Sequence, residues 1–194
     1  MNFYSGVLHI VRFAMRAVFR IKYVGRENMP KEGGCILAVN HRSNWDPVMA
    51  GLGCPRQLTF MAKEELFKNP IFGKLISKLG AFPIKRGGGD VAAIKGAFKI
   101  LKDERVLLMF PEGHRMKDGS RGKAKSGVAM IAQRAKVPVV PMYISGKYKW
   151  MGKITVTIGE PITLEQYYGK KLSNEELQNA AEEVLDAVWK YKID

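Results

Sequence analysis

The stretch Ile36-Leu-Ala-Val-Asn-His-Arg-Ser-Asn-Trp-Asp-Pro-Val-Met49 decides how the rest of the chain is read. Ile36 to Val39 is a short apolar run bounded upstream by Gly33 and Gly34, which is the pattern of a buried strand. Pro47 suits the first position of a helix, and Asp46 then stands where an N-cap carboxylate belongs. The polar loop between strand and helix puts His41 and Asp46 within reach of each other. A carboxylate that holds one imidazole nitrogen protonated leaves the other free to take a proton from a hydroxyl, so the pair suits general base catalysis. The same spacing also fits a loop histidine beside a plain helix cap.

The pattern repeats elsewhere in the chain. Val106 to Phe110 is a second buried strand, running into Pro111-Glu-Gly-His-Arg115. Ala81 to Ile84 is a short strand leading into Lys85-Arg-Gly-Gly-Gly89, with Asp90 capping a helix whose apolar face is Val91, Ile94, Phe98 and Leu101. Ile21 to Val24, Leu58 to Ala62 and Ile154 to Ile158 read as further strands. Lys63 to Lys68 reads as a helical turn, Ile71 to Leu79 and Ser126 to Lys136 as helices. Ser173 and Glu176 form a capping box for a last helix. Residues 116–125 are polar, basic and glycine-containing, the composition of a mobile loop. Val137 to Ile144 contains Pro138 and Pro141, which places it at a sheet edge or in an irregular segment. Strands alternating with helices predict a single α/β domain, layered αβα around a central mixed sheet.

The chain has 194 residues, 46% of them hydrophobic, enough for one packed domain. Its formal net charge of +14 points to an anionic partner: nucleic acid, an acidic membrane surface or a phosphorylated substrate. Nucleic acid is the weakest of the three, because the basic residues are scattered and no RNA-binding aromatic motif is present. Cys35 and Cys54 make no disulfide framework, and a reducing, cytoplasmic setting is the simpler reading.

Residues 1–20 form a separate unit from the domain of residues 21–194. At about 100° per residue, Asn2, Ser5, His9, Arg12, Arg16 and Arg20 share one narrow arc of a helix, and apolar residues fill most of the rest. No stretch approaches the ~18 apolar residues of a transmembrane span, and the arginines inside the apolar run do not suit a signal peptide. The helix either docks on the domain's own core or lies in a membrane surface with its arginines at the headgroups. The absence of any acidic residue before Glu27 favours the second.

Three strand ends thus carry polar residues of catalytic type, and in open α/β sheets sites gather at strand ends. Lys85 and Arg86, before a glycine run and a helix start, suit an anion site. Arg115 suits a bidentate phosphate contact. Glu112 suits either of two tasks, orienting Arg115 or binding a substrate hydroxyl. The glycines do not match a dinucleotide or P-loop pattern. There is no G-x-S-x-G elbow, and the cysteines and histidines lack metal-site spacing.

These motifs together resemble a known family. Asn40-His-Arg-Ser-Asn-Trp-Asp-Pro47 is similar to the NHxSxxDP form of the HxxxxD acyltransferase motif. Gly80 to Arg86, Phe110 to Arg115 and Val137 to Pro141 resemble the second, third and fourth motifs, in the same order, across residues 22–160. The resemblance is to the glycerolipid acyltransferases, and within them to the bacterial enzymes that acylate 1-acyl-sn-glycerol 3-phosphate. It departs at His114, where the family usually has Thr, and at Met116, where Ser is frequent.

The resemblance implies transfer of a fatty acyl group from acyl carrier protein or coenzyme A to the sn-2 hydroxyl of lysophosphatidic acid, giving phosphatidic acid without a cofactor or metal. It implies His41 as the base and Asp46 as its partner. Lys63, Lys85, Arg86, Glu112, Gly113 and Arg115 are the implied substrate-binding residues. It places the chain on the cytoplasmic face of an anionic membrane without spanning it. Within the same reaction, glycerol 3-phosphate or another lysophospholipid is an alternative acceptor. Outside it, a basic membrane-binding module without turnover is the alternative function.

Overall fold

The structure, a computed structural model, describes residues 3–84 and 91–193, with Lys63 and Ile84 described by backbone alone. Among these residues a mixed sheet of seven strands forms the middle layer. In chain order the strands are β1 (Arg20–Val24), β2 (Cys35–Val39), β3 (Leu58–Lys63), β4 (Ala81–Ile84), β5 (Val106–Met109), β6 (Val139–Gly146) and β7 (Lys153–Ile158). Their spatial order is β1-β7-β6-β2-β5-β3-β4, parallel throughout except for the antiparallel β6–β7 pair.

Helices cover both faces, and strand alternation decides which side chains each face receives. Cys35, Leu37 and Val39 of β2 point to one face, with Leu108 of β5 and Val140, Met142 and Ile144 of β6. There they meet α1 (Phe3–Val18) and α2 (Asp46–Gly53). Ile36, Ala38, Leu107, Val139 and Tyr143 point to the other face. That face packs against α4 (Val91–Lys102), α5 (Gly127–Ala135) and α6 (Asn174–Trp189). A further helix, α3 (Pro70–Lys78), links β3 to β4 after a 3-10 turn at Glu64–Phe67, and Asn69 caps it by accepting the N–H groups of Ile71 and Phe72. Gly80 stops it at φ 96°, a backbone conformation natural to glycine. The αβα layering with a mixed sheet is the one the sequence predicts.

Cys35 and Cys54 are buried free thiols that burial pushes up to about 11 and about 12, so both stay protonated. The capping box at Ser173 and Glu176 is present in both directions.

Two expectations are corrected. β6 is central, between β7 and β2, rather than an edge. Its Pro141 is tolerated because it sits at the end of the β7 ladder. Gly159 donates to its carbonyl at 2.8 Å, and the N–H that proline lacks falls just beyond the first ladder pair, Met142 with Ile158. Residues 116–125 have no regular structure, yet they are tied down at several points rather than loose. The Met116 N–H donates to the His41 carbonyl at 2.7 Å, and Arg121 pairs with Glu182 and Asp186 at 2.8 and 2.5 Å. Ala124 is buried, and its N–H donates to Glu182 at 3.0 Å. Backbone carried over a packed surface must have partners, and glycine content does not reveal whether it finds them.

Asp90, expected to cap α4, lies outside the described residues.

Candidate active site

β2 ends at Val39, but its ladder is prolonged by a side chain. The amide of the buried Asn40 donates to the Ile144 carbonyl at 3.2 Å and accepts the Ile144 N–H at 2.8 Å, so it stands in for one more strand residue against β6. Arg42 extends the same anchorage, donating through Nη2 to the carbonyls of Ile144 and Gly146 at 2.8 and 2.9 Å. His41 is held between these two anchors.

His41 is held at three points, two on its ring and one on its backbone. Nδ1 lies 2.9 Å from Asp46 Oδ2, the ring stacks on Phe110 with centroids 3.9 Å apart, and the backbone N–H donates to Glu112 Oε2 at 2.9 Å. An ionised carboxylate accepts only, so Nδ1 carries a proton, and in the neutral imidazole Nε2 is the nitrogen with the lone pair. His41 lines a cavity.

Asp46 is 0% exposed and does not cap its own helix. The N-cap position is Trp45, with no side-chain bond to the helix. Oδ2 instead accepts the N–H groups of Arg42 and Ser43, both at 2.6 Å, and Oδ1 accepts the Tyr148 hydroxyl at 2.7 Å. The carboxylate thus turns back to close its own loop, in addition to holding His41. In the first turn of α2 it still lies at the favourable end of the helix dipole.

Glu112 is engaged by backbone. It is 0% exposed, its two oxygens accept the N–H groups of His41 and Gly122, and it does not line the cavity. It is a bracket between the ends of β2 and β5. Arg115 donates to the Asn44 side chain at 2.5 Å, which brings the loop after β5 against the loop after β2. Gly113, at φ 71°, does line the cavity. Lys85 and Arg86, and the side chain of Lys63, lie outside what the structure describes. Lys125, which the sequence reading passed over as part of a polar loop, lines the cavity beside Gly113 and the start of α5. Phe110 and Tyr148 were also passed over. Phe110 has a signal, its place in the strand-end stretch Phe110 to Arg115. Tyr148 has none in its local sequence.

The cavity beside His41 measures about 470 Å³ and is lined also by Pro47, Phe60, Met61, Leu108, Met109, Phe110 and Val128. Pro47 and Phe60 are shared with a second, apolar cleft of about 160 Å³, walled by Tyr4, Val7, Leu8 and Val11 of α1 and by Val48, Gly51, Leu58 and Leu79. The cavity beside His41 and the apolar slot under α1 are therefore neighbours with two residues in common.

Residues 20–145 match the family model described as Acyltransferase. The chain belongs to the acyltransferase family. Its relatives include the 1-acyl-sn-glycerol-3-phosphate acyltransferases of Streptococcus pneumoniae and Bacillus subtilis. The first is 38% identical over 156 residues, covering 77% of this chain and 57% of that protein. The second is 35% identical over 148 residues, covering 73% of each. The chain thus spans little more than half the length of the pneumococcal relative. The fold matches the crystal structure of the 1-acyl-sn-glycerophosphate (LPA) acyltransferase of Thermotoga maritima, with a TM-score of 0.72 and 29% identity over 98% of this chain and 82% of that one. The family match spans the strand ends that hold His41, Asp46 and Glu112.

Proposed function

We propose that this acyltransferase moves a fatty acyl group from a thioester, on acyl carrier protein or coenzyme A, to the sn-2 hydroxyl of lysophosphatidic acid. His41 Nε2 takes the hydroxyl proton as the oxygen attacks the thioester carbonyl. Asp46 holds the imidazolium that forms. The tetrahedral intermediate then expels the thiolate, which takes the proton from Nε2 and leaves as a free thiol. Transfer is direct, and holding both substrates in one cavity supplies much of the rate. The observation that carries this reading is the His41–Asp46 pair at 2.9 Å on the wall of a cavity that shares Pro47 and Phe60 with an apolar slot.

Cations serve the acceptor's phosphate. Lys63, Lys85, Arg86 and Arg115 keep that proposed role, and Lys125 joins them as a cation on the cavity wall. The fatty chain suits the slot beneath α1.

α1 explains how an insoluble acceptor arrives. No helix among the described residues is long and apolar enough to cross a membrane. Yet Ile10 and Phe13 are 72% and 81% exposed, and Ile71, Phe72 and Leu75 of α3 are exposed as well. Lys78 of α3 stands 4.9 Å from the Phe3 ring centre, so the two helices meet there. An apolar surface flanked by basic side chains suits a peripheral seat on an anionic membrane, on its cytoplasmic side.

The test is an assay of the purified protein with labelled acyl thioester and a panel of acceptors presented in vesicles. Phosphatidic acid forming from lysophosphatidic acid, and no product from His41→Ala, is the expected result. Product from glycerol 3-phosphate alone would move the acceptor assignment, and turnover by His41→Ala at the normal rate would end the mechanism.

A further inference from the structure

We propose that Tyr148 is a positioning residue for the reaction, holding the Asp46 carboxylate in the orientation that serves His41. The proposal rests on the acyl-transfer reading above and assigns a function to a residue outside the four family motifs.

The geometry of Asp46 is lopsided. Oδ2 carries three hydrogen bonds, from His41 Nδ1 and from the N–H groups of Arg42 and Ser43. Oδ1 takes its bond from the Tyr148 hydroxyl at 2.7 Å, the donor it has among the described residues. A carboxylate held at one oxygen can still turn about that point. Held at both, its plane is set, and the lone pair that faces His41 keeps its direction. Asp46 is fully buried, so water does not replace a missing donor readily.

Tyr148 is itself held from outside the site. It belongs to the segment 147–152 between β6 and β7, and its ring meets the edge of the buried Phe19 at 5.7 Å and 79°. Phe19 follows α1 directly and also meets the Trp45 ring at the start of α2. Two backbone bonds tie the segment to the end of α1 and the start of β1, from Met151 N–H to the Val18 carbonyl at 2.8 Å and from Arg20 N–H to the Gly152 carbonyl at 2.9 Å. The phenol is therefore placed by packing that does not involve Asp46, which lets it direct the carboxylate rather than follow it. Burial, and then the neighbouring Asp46 charge, raise its pKa far above the ordinary tyrosine range, so it remains a donor at every working pH.

Tyr148→Phe removes the hydroxyl and keeps the ring against Phe19. Its kcat is expected to fall about tenfold with KM for both substrates unchanged, since only the reacting geometry is disturbed. The second readout needs no turnover. The low-field proton NMR resonance of His41 Nδ1–H, identified by its loss in His41→Ala, is expected to shift or broaden away in Tyr148→Phe. A changed resonance together with the fall in kcat supports the proposal. A lower melting temperature with the resonance unchanged makes Tyr148 merely structural and overturns it, as does unchanged kcat with an unchanged resonance. Should the unaltered protein turn over none of the acceptors, the acyl-transfer reading falls, and the resonance still decides whether Tyr148 orients Asp46.

Discussion

The two faces of the sheet are covered by helices of different kinds. On one face α4, α5 and α6 present a single apolar stripe inward, with Ala97, Leu101, Ala129, Ala132, Ala181, Val184 and Leu185 buried. On the other face α1 is apolar on two sides. Met15 joins the core, Leu8, Val11 and Val18 pack against it, and Phe3, Ile10 and Phe13 face outward. The first face has one task, which is burial. The second also walls the apolar cleft next to the His41 cavity, and its outer surface exposes Phe3, Ile10 and Phe13. A wide apolar arc on a helix is two arcs when the helix lies at the surface. Each then answers to a different solvent.

If the second face is the working one, damage there should affect reaction and membrane binding, while damage on the first should affect stability alone. The largest expected effect is at Asp46. Asp46→Asn turns an acceptor into an amide that offers His41 the wrong partner, and kcat should drop about 10³-fold or more, near 4 kcal/mol of barrier, in an otherwise folded protein. Steady-state kinetics with a thermal melt checks both halves. Next is Glu112→Ala, which leaves the His41 and Gly122 N–H groups without their acceptor. It should cost about 2–3 kcal/mol of stability by chemical denaturation and lower activity by displacing His41. A smaller effect is expected from Ile10→Glu with Phe13→Glu. Binding to anionic vesicles in a flotation assay should weaken about tenfold or more, with the melting temperature unchanged, because neither side chain is buried. The smallest is Ser173→Ala, which removes the cap of α6. It should cost about 1 kcal/mol of stability and leave turnover per folded molecule unaltered. Were that variant to lose vesicle binding, the division between the two faces would break down.

The strands were legible where local pattern and burial agree. β2 and β5 are short apolar runs ended by polar motifs, and both are wholly or nearly wholly buried. β6 misled because its prolines argue against a central strand. The escape lies in where β7 begins to pair, a fact of tertiary register. For α1, periodicity supplied the helix and its arginine arc. Docking through Leu8, Val11, Met15 and Val18 accounts for one apolar sector, and exposure of Ile10 and Phe13 leaves the other. The alternatives of core packing and outward-facing apolar surface turn out to be different residues of one helix.

The site was legible in its partners more than in its directions. His41 and Asp46 lie five residues apart on one loop, so short-range chain geometry nearly obliges them to meet. What Asp46 does with its remaining capacity was not readable. A cap to its own helix and a bond back to Arg42 and Ser43 need the same residue at the same place. Glu112 and His41 are 71 residues apart, and Tyr148 and Asp46 are 102 apart.

Read alone, the chain already carried the α/β class, the placing of the His41 and Glu112 motifs at strand ends, the His41–Asp46 pair and the amphipathic character of residues 1–20. These follow from period, turn chemistry and loop length, all of which act within a few residues. Tertiary packing settled that β6 is central, that Glu112 accepts the His41 and Gly122 N–H groups, that Phe110 stacks on His41, and that Tyr148 reaches Asp46 from between β6 and β7. Each depends on which distant strands lie side by side. Burial energy settles that over the whole core at once, and no single segment records it.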